Sequence, residues 1–210
     1  MDSYHIEVAT IYDAWCFCLK EILNRGYKYK VDVGNFKGQF RKELDFITIH
    51  IKFDSNNNLK KCDYAEGYLA DDLCEGKLNK NNHSYMRYLE SQIAIVIKNY
   101  KQCGYNNNQL IMMIGDEKTI QLDDPPCLRL IDTRIRDNKL HFIAYFRSWD
   151  LWAGFFADLM SLCNLKNYMA DAINVNTGDL IVCSKGLHLY DYSWDVAKNI
   201  ILLLERHYFI

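Results

Sequence analysis

Two runs rich in β-branched and aromatic residues, 127–136 and 139–147, flank the dipeptide Asp137-Asn138, and no other stretch restricts the fold so tightly. A two-residue connection of this kind between such runs is a hairpin signature, because aspartate and asparagine tolerate the backbone of a tight turn. Pairing Arg136 with Lys139 then sets the register upstream. Cys127 falls opposite Ser148 on one sheet face, with Arg147 one step along, and directly opposed Cβ atoms lie about 5 Å apart. A one-residue slip or a bulge would undo that alignment.

The hairpin delivers chemistry. Both prolines of the chain, Pro125 and Pro126, immediately precede Cys127. Proline fixes φ and removes a backbone donor, so the approach to the thiol is stiff. A nearby guanidinium favours the thiolate, which is the nucleophilic form, and Arg147 is also suited to gripping a phosphate through paired charge-assisted hydrogen bonds. Cys127 is therefore a candidate nucleophile; the plainer alternative is one more small buried residue among eight cysteines. Residues 154–173 read as a helix in which Asp158 heads an apolar stripe through Leu162, Leu165 and Met169. A carboxylate so placed loses hydration and holds its proton more tightly unless something pairs with it. A capping or dipole role at the helix start is the alternative.

The remaining pattern is that of one globular domain spanning 1–210, half of its residues apolar. Residues 7–24 read as an amphipathic helix stopped by Gly26, residues 25–30 and 37–42 as basic glycine-containing loops, and residues 44–53 as an alternating strand. A short helix is expected around Glu66, then a polar loop, then a helix from Tyr85 through Tyr100 and a strand at 110–114. Residues 178–182 read as turn then strand, leading to His188 and Tyr190 on one face, and residues 194–204 as a helix packed on the sheet. A net charge of −2 gives no reason to expect nucleic acid or an anionic membrane as partner. No apolar run reaches the length of a membrane span and no basic-then-apolar leader begins the chain. The eight cysteines lack metal-ligand spacing, so no metal is expected and a reducing cytoplasm is the expected compartment.

Taken together, Pro125-Pro126-Cys127, Arg147-Ser148-x-Asp150, Gly154 opening a helix, and Gly186-x-His188-x-Tyr190 resemble the thymidylate synthase and deoxycytidylate hydroxymethylase superfamily, closest to its short, divergent archaeal-like members. The resemblance is dense over residues 85–194. It implies an α+β domain with a large mixed β-sheet flanked by helices, and a homodimer packed through that sheet. It further implies a pyrimidine nucleoside monophosphate as substrate and methylene-tetrahydrofolate, or a methanopterin-type carrier, as one-carbon donor.

By the same resemblance, Cys127 adds to C6 of the pyrimidine, Arg147 holds the phosphate, Ser148 assists it, and Asp150 contacts the carrier ring or orders the site. Glu66 stands for the family's catalytic glutamate and Tyr85 for its active-site tyrosine. His188 and Tyr190 bond the sugar hydroxyls, and Arg41, by its position in the basic loop, reaches the phosphate; a solvated loop residue is the alternative there. Where the family carries an arginine pair that crosses to the other subunit, this chain has Asn108 and Gln109, losing two contacts each worth about 1.5–3 kcal/mol. At position 158 the enzymes acting on uracil have asparagine and the cytidylate hydroxymethylases aspartate, so Asp158 points to CMP or dCMP. The expected activity is cytidylate C5-hydroxymethylation. A divergent thymidylate synthase methylating dUMP, and a catalytically silent nucleotide-binding homologue, are the alternatives.

Overall fold

The computed structural model describes residues 1–53 and 85–207, and the segment expected to carry Glu66 lies outside the described residues. In chain order they form β1 (Ser3–Val8), α1 (Ile11–Arg25), β2 (Tyr27–Lys30), β3 (Phe40–Leu44), β4 (Phe46–Ile51), α2 (Met86–Cys103), β5 (Ile111–Met113), β6 (Leu128–Arg136) and β7 (Lys139–Phe146). The two-residue β8 (Trp149–Asp150), α3 (Phe155–Ile173), β9 (Asn176–Ser184), β10 (Leu187–Tyr190) and α4 (Trp194–His207) follow. The fold is the expected α+β type, with a mixed six-stranded sheet in the order β1-β4-β9-β7-β6-β5. A second sheet, β2-β3-β10-β8, is an addition that the sequence reading did not contain.

The hairpin forms as expected. Asp137 and Asn138 take φ of 50° and 56°, the primed turn whose twist suits a hairpin, and Arg136 pairs with Lys139. Along β6, β7, β9 and β4 the buried positions alternate with half-buried ones, and the buried set (Ile131, Phe142, Ala144, Val182, Ile49) meets the helices. Helix α3 packs on β7 and β9 through Leu159, Leu162, Met169 and Ile173. Helix α1 packs on β1 and β4 and also touches β3 and β10, which ties the small sheet to the large one. No described helix is long and apolar enough to cross a membrane.

Several boundaries differ from expectation for local reasons. The first helix begins at Ile11 and not at position 7, because Thr10 caps it by accepting from the Asp13 amide at 3.0 Å, and the preceding residues pair in parallel with β4. The basic stretches around Tyr27–Lys30 and Arg41 are strands, not loops: β2 and β3 pair antiparallel, leaving residues 31–39 as the connection. The strand expected over 44–53 breaks at Asp45, whose carboxylate accepts from the Asp2 amide at 2.8 Å. Gly178 lies inside β9 and not in a turn; a Cβ there would come within 2.7 Å of the His141 ring. Helix α4 rests on α1, joined to it by a Lys20–Glu205 ion pair of 2.9 Å, and meets the small sheet through Trp194, whose indole N–H donates to the Leu189 carbonyl at 3.1 Å.

A lysine sits in the core beneath α3. Lys166 on α3 is 0 % exposed, donates from Nζ to the Gly178 carbonyl, and lies 4.3 Å from the centre of the Phe53 ring. Burial pulls its pKa down to about 8. Between that value and the ordinary lysine pKa the unfolded chain binds the extra proton, so this residue adds stability as pH rises through the window. In urea unfolding, the wild type should gain roughly 2–3 kcal/mol relative to Lys166→Met between pH 8 and pH 10.5. Parallel pH curves for the two proteins would contradict this.

Candidate active site

The reactive end of the sheet is built at the mouth of the β6–β7 hairpin. Between Leu128 and Leu130 the register shifts by one residue, with Arg129 as the extra member of a β-bulge. The shift corrects the expected alignment: Cys127 pairs with Arg147 and not with Ser148, and the Arg147 amide donates to the Cys127 carbonyl at 2.9 Å. Ser148 is half-buried in the connection to β8.

Arg147, half-buried, is already engaged within the chain. Its guanidinium donates to the carbonyls of Pro125 and Pro126, the latter at 3.2 Å, and pairs with Asp124 at 3.3 Å. The prolines bring carbonyls without competing N–H groups, so a fork of donors fits them. The half-buried Cys127 thiol feels two opposed influences. Burial pushes its pKa up, Arg147 pulls it down, and Asp124, Asp158 and Asp150 push it up again; the net is about 11. Arg147 does pull the thiol toward the thiolate, as a nearby guanidinium is expected to, but desolvation and three carboxylates outweigh it.

Around the thiol stand the other sequence-predicted residues. Tyr85, at the start of α2, accepts from the Leu128 amide at 3.4 Å, and its hydroxyl is pushed well above the ordinary range by burial, then by Asp158 and Cys127. Asp158, in the first turn of α3, accepts from the Trp149 indole N–H at 2.8 Å. Asp150 accepts from the amides of Trp152 at 2.8 Å and Ala153 at 3.1 Å, so it orders the turn that leads into α3, and burial raises its pKa. Tyr192 donates to it and is pushed up to about 12, chiefly by burial.

His188 and Tyr190 share one face of β10, as alternation predicts, with ring centres 4.9 Å apart. His188 is 4 % exposed and its Nδ1 lies 2.8 Å from the Gly186 carbonyl. A carbonyl only accepts, so the proton is on Nδ1 and Nε2 is the acceptor. Burial, with Arg41 and Arg147 beside it, pulls its pKa down to about 3 and keeps the ring neutral. Tyr190 stacks on Phe36 at 4.3 Å, which brings the 31–39 connection against the site. That connection is also held at its other side, where Asn35 donates to Asp124 at 3.1 Å.

Arg41 belongs to β3 and faces the site, bonded to Tyr29 and paired with Glu43 at 2.7 Å. Asn108 and Gln109 lie in the loop before β5, where the Gln109 amide donates to the Asn107 side chain at 2.9 Å. The fold therefore gathers Cys127, Arg147, Tyr85, Asp158, Asp150, His188, Tyr190 and Arg41 within electrostatic reach of one another. Sequence reasoning passed over Trp149, Tyr192, Phe36 and Glu43. Of these, only Trp149 had a signal, its place between Ser148 and Asp150. If burial governs the thiol, the rate of Cys127 alkylation by iodoacetamide, followed by peptide mass spectrometry, should rise about tenfold per pH unit from pH 7 to 10. A plateau below pH 8 would refute the raised pKa.

A sequence model described as "Thymidylate synthase" matches residues 7–208. A protein of Methanosarcina barkeri named "Putative thymidylate synthase" is 26% identical over 210 residues, covering 93% of this chain and 94% of its own. One of the same name from Methanothermobacter marburgensis is 23% identical, covering 95% and 98%. A third, from Methanococcoides burtonii, reaches 35% identity over 81 residues, covering 39% of this chain and 37% of its own. A match that runs almost end to end, on an α+β frame whose cysteine, arginine and helix-borne carboxylate converge, places this chain in the thymidylate synthase family.

Proposed function

We propose that the protein transfers a one-carbon unit to C5 of a pyrimidine nucleoside monophosphate, and that CMP or dCMP is the substrate, hydroxymethylated at C5. The observation that carries the reading is the Asp158 carboxyl, held by Trp149 beside Tyr85 and Cys127. Cytosine offers an amino donor at N4 and an acceptor at N3; a carboxyl group accepts from the first and, when protonated, donates to the second.

The Cys127 thiolate adds to C6 of the ring, and the electron pair displaced onto C5 makes that carbon the attacking centre. Neutral His188, an acceptor at Nε2, and Tyr190 bind the sugar hydroxyls. Arg147 holds the thiol loop and, with Ser148 and Arg41, meets the phosphate. The methylene group comes from a reduced folate, as methylene-tetrahydrofolate, or from a methanopterin-type carrier. Asp150, which is bonded to Tyr192 and lies within electrostatic reach of the Cys127 thiol, is the group proposed to meet the ring of that carrier. Glu66 completes the proposed catalytic set.

Incubation with nucleotides tritiated at C5 tests the reading. Release from CMP or dCMP, lost on Cys127→Ser with nucleotide binding retained, is the expected result; release from dUMP alone assigns the chain to thymidylate formation. A second reading, a nucleotide-binding homologue without turnover, is favoured by one observation. Both arginines of the site are engaged internally, by Glu43 and by Asp124 with the proline carbonyls, while Asn108 and Gln109 supply no charge. Binding without tritium release would establish it.

The proposed assembly is a homodimer. The face of the six-stranded sheet turned from the helices carries half-buried Leu130, Ile143, Tyr145 and Ile181 in adjacent register, with exposed Ile111 and Met113 at its edge. Such a face suits burial against a second copy. Light scattering should give twice the 24.8 kDa chain mass for the wild type and once that mass for Ile181→Arg.

A further inference from the structure

Trp149 is 1 % exposed and lies between two phenyl rings, with centres 4.5 Å from Phe146 at an interplanar angle of 7° and 4.5 Å from Phe155 at 29°. It cannot turn without repacking the core. Its indole nitrogen only donates, and it meets Asp158 Oδ2 at 2.8 Å. Any terminal atom of residue 158 placed there must accept. Gly154 leaves room for that oxygen to sit there, since a Cβ at this position would lie 3.1 Å from it. The two ends of the carboxyl group are therefore made unequal: Oδ2 is the fixed acceptor, and a carboxyl proton, when present, is carried by Oδ1.

That inequality matters because the two bases present opposite patterns. Cytosine reads donor at N4 then acceptor at N3, and uracil reads acceptor at O4 then donor at N3. A carboxyl oxygen accepts two hydrogen bonds, so Oδ2 serves the indole and an exocyclic amino group together. We propose that base selection resides in the Trp149–Asp158 pair and not in Asp158 alone, Trp149 being the positioning residue that fixes the acceptor end of residue 158 toward the C4 substituent. The inference rests on the reading of this site as a pyrimidine nucleotide site. It has a specific corollary. An asparagine at position 158 in this chain is held with its carbonyl oxygen on the indole, keeps the same acceptor-then-donor order, and still fits cytosine. Only removal of the indole N–H lets the amide turn over and fit uracil.

Calorimetric titration of CMP, dCMP, UMP and dUMP into the wild type, Asp158→Asn, Trp149→Phe and the double variant tests this. The wild type and Asp158→Asn should prefer cytosine. Trp149→Phe should lower the cytosine-to-uracil affinity ratio about tenfold in protein whose circular dichroism shows the fold retained, and the double variant should prefer uracil. Should the phenylalanine variants fail to fold, benzothienylalanine at position 149, which keeps the fused ring and replaces N–H by sulfur, takes their place. Asp158→Asn turning to uracil as fully as the double variant, or an unmoved ratio on loss of the N–H, overturns the role of Trp149 and leaves the nucleotide reading intact. A wild type that prefers uracil, or binds none of the four, overturns the nucleotide or base reading itself and the inference with it.

Discussion

The guanidinium of Arg147, spread over the carbonyls of Pro125 and Pro126 and the carboxylate of Asp124, is the contact on which the arrangement of the site depends. It joins the residue just past one hairpin arm to the stiff segment entering the other, and the amide of the same residue bonds the Cys127 carbonyl. The thiol is placed by this clamp more than by the sheet, since the ladder is already irregular at Arg129. An arginine committed to backbone carbonyls is also an arginine whose field is shared, which is one reason burial outweighs it at the sulfur.

Much of this was legible because it is local. The primed turn follows from two residues that accept positive φ, and the helix α3 from a stripe spaced for one face. The convergence of Cys127, Arg147, Asp150, Asp158, His188 and Tyr190 followed from ordered motifs and their likeness to a family. What stayed hidden depends on contacts distant in the chain. Residues 3–8 carry no strand signal strong enough to stand alone and become β1 by pairing with β4. The basic stretches around Tyr29 and Arg41 become strands by pairing with each other and with β10. The bulge at Arg129 has no glycine to announce it, and it alone moved Cys127 from Ser148 to Arg147. Trp149 reads as one more aromatic in a β-rich run, and the carboxylate that accepts from its indole N–H lies nine residues on, in another element.

The electrostatics of the site follow from crowding. Three carboxylates and two tyrosines stand close to one thiol, a neutral histidine lies beside the same arginines, and the two nearby guanidinium groups are already paired. Neutral forms are favoured throughout: burial raises the Cys127, Tyr85 and Asp150 pKa values and lowers that of His188. A site so composed has capacity for added positive or hydrogen-bond-donating character.

Strand β8 is only two residues long, yet it pairs in parallel with β10 and continues the segment that carries Arg147. The Trp149 amide bonds the Gly186 carbonyl at 3.2 Å and the Leu151 amide bonds the His188 carbonyl at 2.9 Å. These bonds leave no hinge between the thiol end and the histidine end: a tilt of one sheet carries both along. The 31–39 crossing adds a second tie between the same two ends, since it leans Phe36 on Tyr190 and bonds Asn35 to Asp124, so the histidine and the thiol share one frame through side chains as well as through the ladder.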